Sequence, residues 1–126
     1  MCYHEVDLGN SLAISEDDEL NRWSKLNSNP ITPDDSEVEA NKSGRKSPQR
    51  KGYRSWDPFG WYSSGNYYAI FGGESPAVAK ASALDGKWRY VGNLFAHAID
   101  GISLHEDVSC PDLFRLGNKD ILLCIS

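Results

Sequence analysis

The sequence predicts an all-β fold of short antiparallel strands, and three observations support this prediction. Short runs rich in aromatic and β-branched residues alternate with Gly, Asn, Asp and Ser along most of the chain. Four Trp and six Tyr stand against one Met. No stretch carries the apolar stripe of an amphipathic helix of useful length. With 126 residues, the chain is long enough for one domain at most.

The predicted strands are short, and turn residues separate them. Residues 63–66, Ser-Ser-Gly-Asn, form one such turn, and Asp85-Gly86 forms another. In residues 22–26 and 87–92 polar and apolar side chains alternate, which is typical of a strand with one buried face. We expect strands at residues 11–15, 22–26, 59–62, 67–71, 77–82, 87–92, 112–116 and 121–125.

These runs repeat along the chain. Trp23 and Trp88 follow similar strand and turn segments 65 residues apart, and Pro58 and Pro111 precede similar hairpins 53 residues apart. Four-stranded units that recur every 40–50 residues or so are typical of propeller blades. We therefore expect an incomplete β-propeller of about two blade-equivalents in a single domain, with a small sandwich or barrel of about eight strands as the alternative. The expected parts are the end of one blade at 8–30, an exposed loop at 31–55, a full blade at 56–95 and the start of the next at 107–126.

The predicted loop has an unusual composition. Between Asn27 and Ser55 there is almost no apolar residue, and the segment contains three prolines. Its first half is acidic, and its second half is basic between Lys42 and Arg54. Because the two charge runs neutralise each other, an exposed loop is favoured over a polyanion-binding or nuclear-localisation segment.

Composition and charge also exclude several classes of function. The chain has 13 basic and 18 acidic residues and a net charge of −5, which argues against nucleic acid as the main partner. No run approaches the roughly 18 apolar residues of a membrane span, and no secretory signal is recognisable at the amino terminus. Three cysteines without metal-ligand spacing predict neither a disulfide scaffold nor a zinc site.

Three segments of the sequence resemble glycoside hydrolase family 32, the invertases, inulinases and levanases. Residues 13–33 are similar to the family's His-Ala-x-Ser-x-Asp-Leu-x-x-Trp…Pro segment. Trp56-Asp57-Pro58 stands where the family has Arg-Asp-Pro, and residues 109–114, Ser-Cys-Pro-Asp-Leu-Phe, stand where it has Glu-Cys-Pro-Asp-x-Phe. The resemblance runs in register through nearly the whole chain.

This resemblance implies a five-bladed propeller and a retaining glycosidase. The implied activity is hydrolysis or transfer of β-fructofuranosyl units of sucrose, inulin or levan, so the implied partner is a fructose-containing oligo- or polysaccharide. Retention needs a carboxylate nucleophile and a carboxyl of raised pKa about 5–5.5 Å apart. In the family a third carboxylate holds the sugar hydroxyls. Carboxylates alone carry this chemistry, so neither a metal nor an organic cofactor is implied.

Asp57 is the one catalytic carboxylate that the resemblance carries over directly, as the residue that binds sugar hydroxyls and stabilises the transition state. A residue that opens a turn before a proline is the structural alternative. Ser109 stands at the position of the acid/base Glu and cannot act as a general acid near neutral pH. Asp107 or Glu106, just upstream of Ser109, would have to supply the general acid from a shifted position. Asp107 shares a face with Ser109 on an extended strand, although solvated loop charges are the simpler interpretation of both residues.

The family's nucleophile lies in a Trp-x-Asn-Asp-Pro-Asn-Gly stretch that residues 1–126 do not contain, so we expect this chain alone to be inactive. The resemblance assigns substrate-binding positions to Trp56, to Arg54 and to Cys110. Trp56 replaces the family's Arg, and Arg54 is close enough in sequence to point to the same side. The side chain of Cys110 is expected to be buried, as a small apolar side chain would be.

Other residues have simpler interpretations. Trp61, Tyr67 and Tyr68 could stack on sugar rings, but core packing is the default for aromatic residues at period two. His97 and His105 are expected to be loop residues, because no nucleophile that they could activate is recognisable. A non-catalytic carbohydrate-binding segment is an alternative function. A related five-bladed hydrolase of arabinose- or xylose-containing glycans is another.

Overall fold

The computed structural model describes residues 1–6, 8–33, 38–39, 49–50, 55–97, 99–103 and 106–125, and every regular element among them is a β-strand. All strand pairs are antiparallel, which confirms the all-β, antiparallel part of the predicted fold class. These residues include no helix suited in length and hydropathy to cross a membrane. The strands are β1 (Cys2–Glu5), β2 (Gly9–Ser15), β3 (Trp23–Lys25), β4 (Val38–Glu39), β5 (Gln49–Arg50), β6 (Trp56–Ser63), β7 (Asn66–Glu74), β8 (Ala77–Ala81), β9 (Arg89–Asn93), β10 (Asp107–Leu116) and β11 (Lys119–Ile125).

Strands β6 to β9 form an antiparallel meander, which we call the middle sheet. Its first turn is Ser64-Gly65, where both residues have positive φ angles of 49° and 77°. Two left-handed residues define the type I′ turn, whose twist matches that of the flanking strands. In β8 buried alanines alternate with half-buried residues, as the period of a strand requires.

Two smaller units flank the middle sheet. The first sheet has the order β1-β2-β3, and its strand Cys2–Glu5 was not predicted from the sequence. All four residues of β1 are half-buried, so the strand lacks the alternation by which a strand is recognised. The second unit is the hairpin of β10 and β11, which we call the terminal hairpin. It joins the middle sheet where Asp107 pairs with Glu74 and Val108 with Gly73.

The core lies between the first sheet and the middle sheet. Leu12 of β2 packs with Phe71 of β7 and with Trp88, which precedes β9. The remaining wall of the middle sheet consists of four alanines, Ala69, Ala77, Ala79 and Ala81. Side chains this small allow the two sheets to approach closely, and the larger side chains of Leu12, Phe71 and Trp88 bury more apolar area than the alanines do.

The structure corrects the predicted exposed loop of residues 31–55 at both of its ends. Ile31 is fully buried in the core, and its backbone N–H donates to the carbonyl of Asn10 at 2.7 Å. Thr32 and Ser55 are buried as well, and their hydroxyls are 2.6 Å apart. Ile31 is an apolar residue in a mostly polar segment, and it anchors the chain here. The average composition of the segment gives no sign of this anchor. Strands β4 and β5 pair with each other, and the rest of residues 34–54 lies outside the described residues.

Candidate functional site at two paired bulges

Strand β6 contains a β-bulge at its start. Between the pairs Trp56–Gly72 and Phe59–Ile70, β6 has one residue more than β7. The first residue of the bulge, Asp57, has a φ of 36°. Glycine usually occupies such a left-handed bulge position, and Asp tolerates it better than most other residues. Asp57 therefore lies inside a strand at a bend in the backbone, and it does not open a turn.

Strand β10 repeats this bulge. Between the pairs Ser109–Ile125 and Asp112–Leu123, β10 has one residue more than β11. The first residue of this second bulge, Cys110, has a φ of 48°. A left-handed cysteine is strained, and strain of this kind is concentrated at functional sites.

A proline is the second residue of each bulge, Pro58 in β6 and Pro111 in β10. Proline has no backbone N–H, so in a regular pairing it would remove a ladder hydrogen bond, and within sheets it is confined to edges and bulges. The two bulges are 53 residues apart, which is the spacing of the proline pair in the sequence. The local sequence thus explains why both strands bend at the same place.

The two bulges are in direct contact. The backbone N–H of Cys110 donates to Oδ2 of Asp57 at 3.1 Å, and the Cys110 sulfur is 3.8 Å from the same oxygen. A backbone donor to a carboxylate is a charge-assisted hydrogen bond, which fixes the orientation of the acid. No described residue donates to the other oxygen, Oδ1 of Asp57. One oxygen of a positioned carboxylate thus remains able to accept hydrogen bonds from a ligand.

A cleft of about 320 Å³ lies around this contact. Its walls include both bulges, and its volume lies at the lower end of the range of small-molecule sites. Phe59 supplies an apolar wall and Asp112 a second carboxylate. Cys2 of the first sheet completes it, and burial raises the pKa of this thiol above its ordinary value of 9.0, against a weaker opposing effect of the N-terminal amino group. Cys2 is therefore protonated at neutral pH.

Sequence analysis did not assign a role to Asp112 or to Cys2. Asp112 follows the proline of the second bulge, so the repeat of the two bulges was a usable signal for it. Cys2 reaches the cleft only through the packing of β1 beside β6, and the sequence contains no local signal for this packing.

The proposed acid/base residues lie outside the walls of this cleft. Asp107 is exposed, and the hydroxyl of Ser109 donates to its Oδ1 at 3.1 Å, as expected for two residues on one face of a strand. Glu106 is half-buried just before β10, where its backbone N–H donates to Ser103. The structure thus pairs Asp107 with Ser109 and assigns neither acidic residue to the cleft.

The three predicted substrate-binding residues differ in position. Cys110 lines the cleft and is exposed, so the expectation that its thiol is buried was wrong. The positive φ of the bulge turns this residue away from the strand's regular alternation. Trp56 is half-buried, does not line the cleft, and accepts a bond from the Asn10 side chain through its carbonyl at 3.4 Å. Arg54 lies outside the described residues.

Three aromatic residues of the middle sheet, Phe59, Trp61 and Tyr68, form a row on one face, which we call the aromatic row. Phe59 and Trp61 have ring centroids 6.5 Å apart, and Trp61 stacks on its cross-strand partner Tyr68 at 5.2 Å. Tyr67 packs on the other face against the core. Of the two predicted loop histidines, His97 is exposed outside the strands and His105 lies outside the described residues.

The described part of the chain contains no group of three or more His, Cys, Asp or Glu side chains that could hold a metal ion. No family model, no curated protein and no solved structure matches this chain. The features of this chain that indicate a function are therefore the geometry of the cleft and the motifs that form it.

Proposed function

We propose that this chain is part of a β-propeller related to glycoside hydrolase family 32, and that it binds β-fructofuranosyl sugars in the cleft between the two bulges. The observation that supports this proposal is the contact between Asp57 and Cys110. These residues belong to two of the three segments that resemble the family, and they meet although they are 53 positions apart in the sequence. A repeated strand pair with the same register and bulge is what successive units of a propeller require.

Asp57 is the proposed sugar-binding residue. Its Oδ2 accepts the Cys110 N–H, so the carboxylate is oriented before a ligand arrives. Its Oδ1 then accepts hydrogen bonds from ring hydroxyls, and such bonds to a charged group are stronger than neutral ones. Phe59 offers an apolar surface for the carbon face of the sugar.

The parent activity that we propose is retaining hydrolysis or transfer of β-fructofuranosyl units. Retention requires a nucleophile and an acid in addition to Asp57. Asp107 and Glu106 stay the proposed acid candidates, and Asp112 joins them because it lines the cleft. The family's nucleophile motif does not occur in residues 1–126. We therefore expect residues 1–126 to bind fructosyl sugars without cleaving them. The alternative function, a non-catalytic carbohydrate-binding segment, predicts the same behaviour.

Titration calorimetry with an inulin-type fructo-oligosaccharide tests the binding. We expect the Asp57→Asn variant to bind about tenfold more weakly, since one charge-assisted hydrogen bond is worth roughly 1.5–3 kcal/mol. The matched control is Asp100→Asn, which removes an exposed carboxylate outside the cleft and is expected to bind like the wild type. Equal affinity of the wild type and Asp57→Asn would contradict the proposed role of Asp57.

Two further measurements separate the alternatives. Tighter binding of an arabino- or xylo-oligosaccharide than of the fructan would favour the related arabinan- or xylan-acting class. Incubation with sucrose or inulin tests turnover, and we expect no fructose above the level of the Asp57→Asn variant. Fructose release above that level would show that this chain holds a complete catalytic set, contrary to the proposal.

A further inference from the structure

A second cleft, of about 460 Å³, lies at the end of the middle sheet opposite the bulges. Three cationic side chains line it, Lys80 of β8, Arg89 of β9 and Lys87 of the segment between these strands. Asn66 and Ser82 add neutral polar groups to the wall, and none of the described residues that line it is acidic. In a chain with a net charge of −5, this concentration of positive charge is a local feature.

The cationic residues are placed at a cost to the fold. Lys80 and Arg89 are directly opposite each other on neighbouring strands, and like charges in such pairs are destabilising. None of the described residues forms an ion pair with Lys80, with Lys87 or with Arg89. The electrostatic repulsion is thus not relieved within the described part of the chain, and an anion in the cleft would relieve it.

The aromatic row holds one of these cations in place. The ammonium of Lys80 is 5.5 Å from the ring centroid of Tyr68, which itself stacks on Trp61. A cation–π contact of this kind positions the charge without neutralising it. Arg89 presents a planar fork of donors that matches two oxygens of a tetrahedral oxyanion.

We propose that this basic cleft binds a phosphomonoester group on a small, sugar-sized ligand. Side chains that carry one guanidinium and two ammonium groups line the cleft, and its volume admits the ester together with the ring that bears it. The proposal does not depend on the sugar-binding role of Asp57, because the two clefts share no lining residue.

Nuclear magnetic resonance titration of the full chain tests this inference, with inorganic phosphate, glucose 6-phosphate and glucose as probes at constant ionic strength. We expect both phosphates to shift the amide resonances of Arg89 and Val91, with tighter binding of the ester, and glucose to have no effect. Absence of shifts with both phosphates would overturn the proposal. Equal affinity for glucose 6-phosphate and for inorganic phosphate would show that the cleft does not recognise the sugar. This result would overturn the proposal that the ligand is sugar-sized.

Two variants identify the groups responsible. Arg89→Gln is expected to weaken binding of glucose 6-phosphate at least about tenfold, and Lys87→Gln, outside the strands, provides the same test with little risk to folding. Lys119→Gln is the control, because it removes an exposed cation of the terminal hairpin. An equal loss of affinity in all three variants would indicate attraction by overall charge and would contradict a specific site.

Discussion

The hairpin of β6 and β7 and the terminal hairpin share one backbone plan but have different surroundings. Each has a bulge at the same distance from its turn, and each bulge begins with a left-handed residue. Ile70 of β7 is fully buried, whereas Leu123, at the equivalent place in β11, is 61% exposed. β7 has paired strands on both edges, and no described strand pairs with the outer edge of β11. Register and bulge are therefore set within a hairpin, and burial is set by the neighbours of the hairpin.

The residue that pairs with the last residue before each bulge shows the same difference in surroundings. In β7 this residue is Gly72, and a Cβ there would overlap the carbonyl oxygen of Val108, where β10 crosses. In β11 it is Ile125, which is 66% exposed. Glycine is thus required only in the hairpin that has a strand beside it.

The largest expected effect tests the difference in burial at equivalent positions. Ile70→Ala removes a fully buried side chain and is expected to lower the free energy of unfolding by about 2–5 kcal/mol. Leu123→Ala removes a mostly exposed one and is expected to cost less than about 1 kcal/mol. Urea denaturation of both variants measures the two values. Similar losses would show that the terminal hairpin is covered in solution.

Gly72→Ala sharpens the comparison at the bulge. The added methyl group collides with backbone, which cannot move aside as a side chain can, so we expect a loss of about 1–3 kcal/mol. Gly92→Ala is the matched control, because a Cβ at this strand position has no neighbour within 4 Å. The same denaturation experiment compares them. A stable Gly72→Ala protein would mean that β10 does not cross at this point.

The contact between the bulges is expected to contribute less. Asp57→Ala removes the acceptor for the Cys110 N–H and is expected to cost about 1 kcal/mol, near the lower limit for a bond to a charged group because Cys110 is exposed. Asp112→Ala removes an exposed carboxylate from the same cleft without a comparable bond and is expected to be neutral. Thermal unfolding of the two variants distinguishes these expectations. An equal loss of stability in both variants would contradict a stabilising role of the Asp57–Cys110 hydrogen bond.

The smallest expected effect is a pH dependence in the first sheet. Lys25 Nζ is 2.7 Å from Glu5 Oε1, and this bond, with a second from Ser11, lowers the pKa of Glu5 below its ordinary value of 4.5. The folded state then binds the proton less tightly than the unfolded state does. The stabilisation is therefore complete above about pH 4.5 and disappears as the pH falls through the lowered pKa.

Unfolding midpoints of the wild type and of the Lys25→Gln variant, measured from pH 6 to pH 2, test this pH dependence. The difference between the two proteins is expected to be small at pH 6, because Lys25 is exposed and solvent weakens its attraction to Glu5, and to shrink further towards pH 2. A difference that grows as the pH falls would have the wrong sign for this account.

The sequence predicted the parts of the fold that repeat and missed those that do not. The proline spacing predicted the second hairpin, because each proline marks a bulge. Strand β1 was missed because four half-buried residues show no alternation. Burial of Ile31 was missed because it depends on a bond to Asn10, far from its own segment.

For the candidate site, the sequence identified Asp57 and Cys110, since both lie in motifs beside a bulge proline. It did not identify Cys2, which depends on how the first sheet packs. It placed the thiol of Cys110 in the core because it contains no sign of the left-handed backbone that turns this residue outward. Local motifs therefore singled out these two residues, and only the structure shows that they meet and what surrounds them.

The most direct test of the proposed function maps the binding of an inulin-type fructo-oligosaccharide onto the chain by nuclear magnetic resonance. The proposal predicts that the amide resonances of Asp57, Phe59 and Cys110 shift together with one dissociation constant, and that Asp57→Asn raises this dissociation constant about tenfold. Resonances at both bulges that stay unchanged at saturating sugar would contradict it, as would shifts confined to other parts of the molecule.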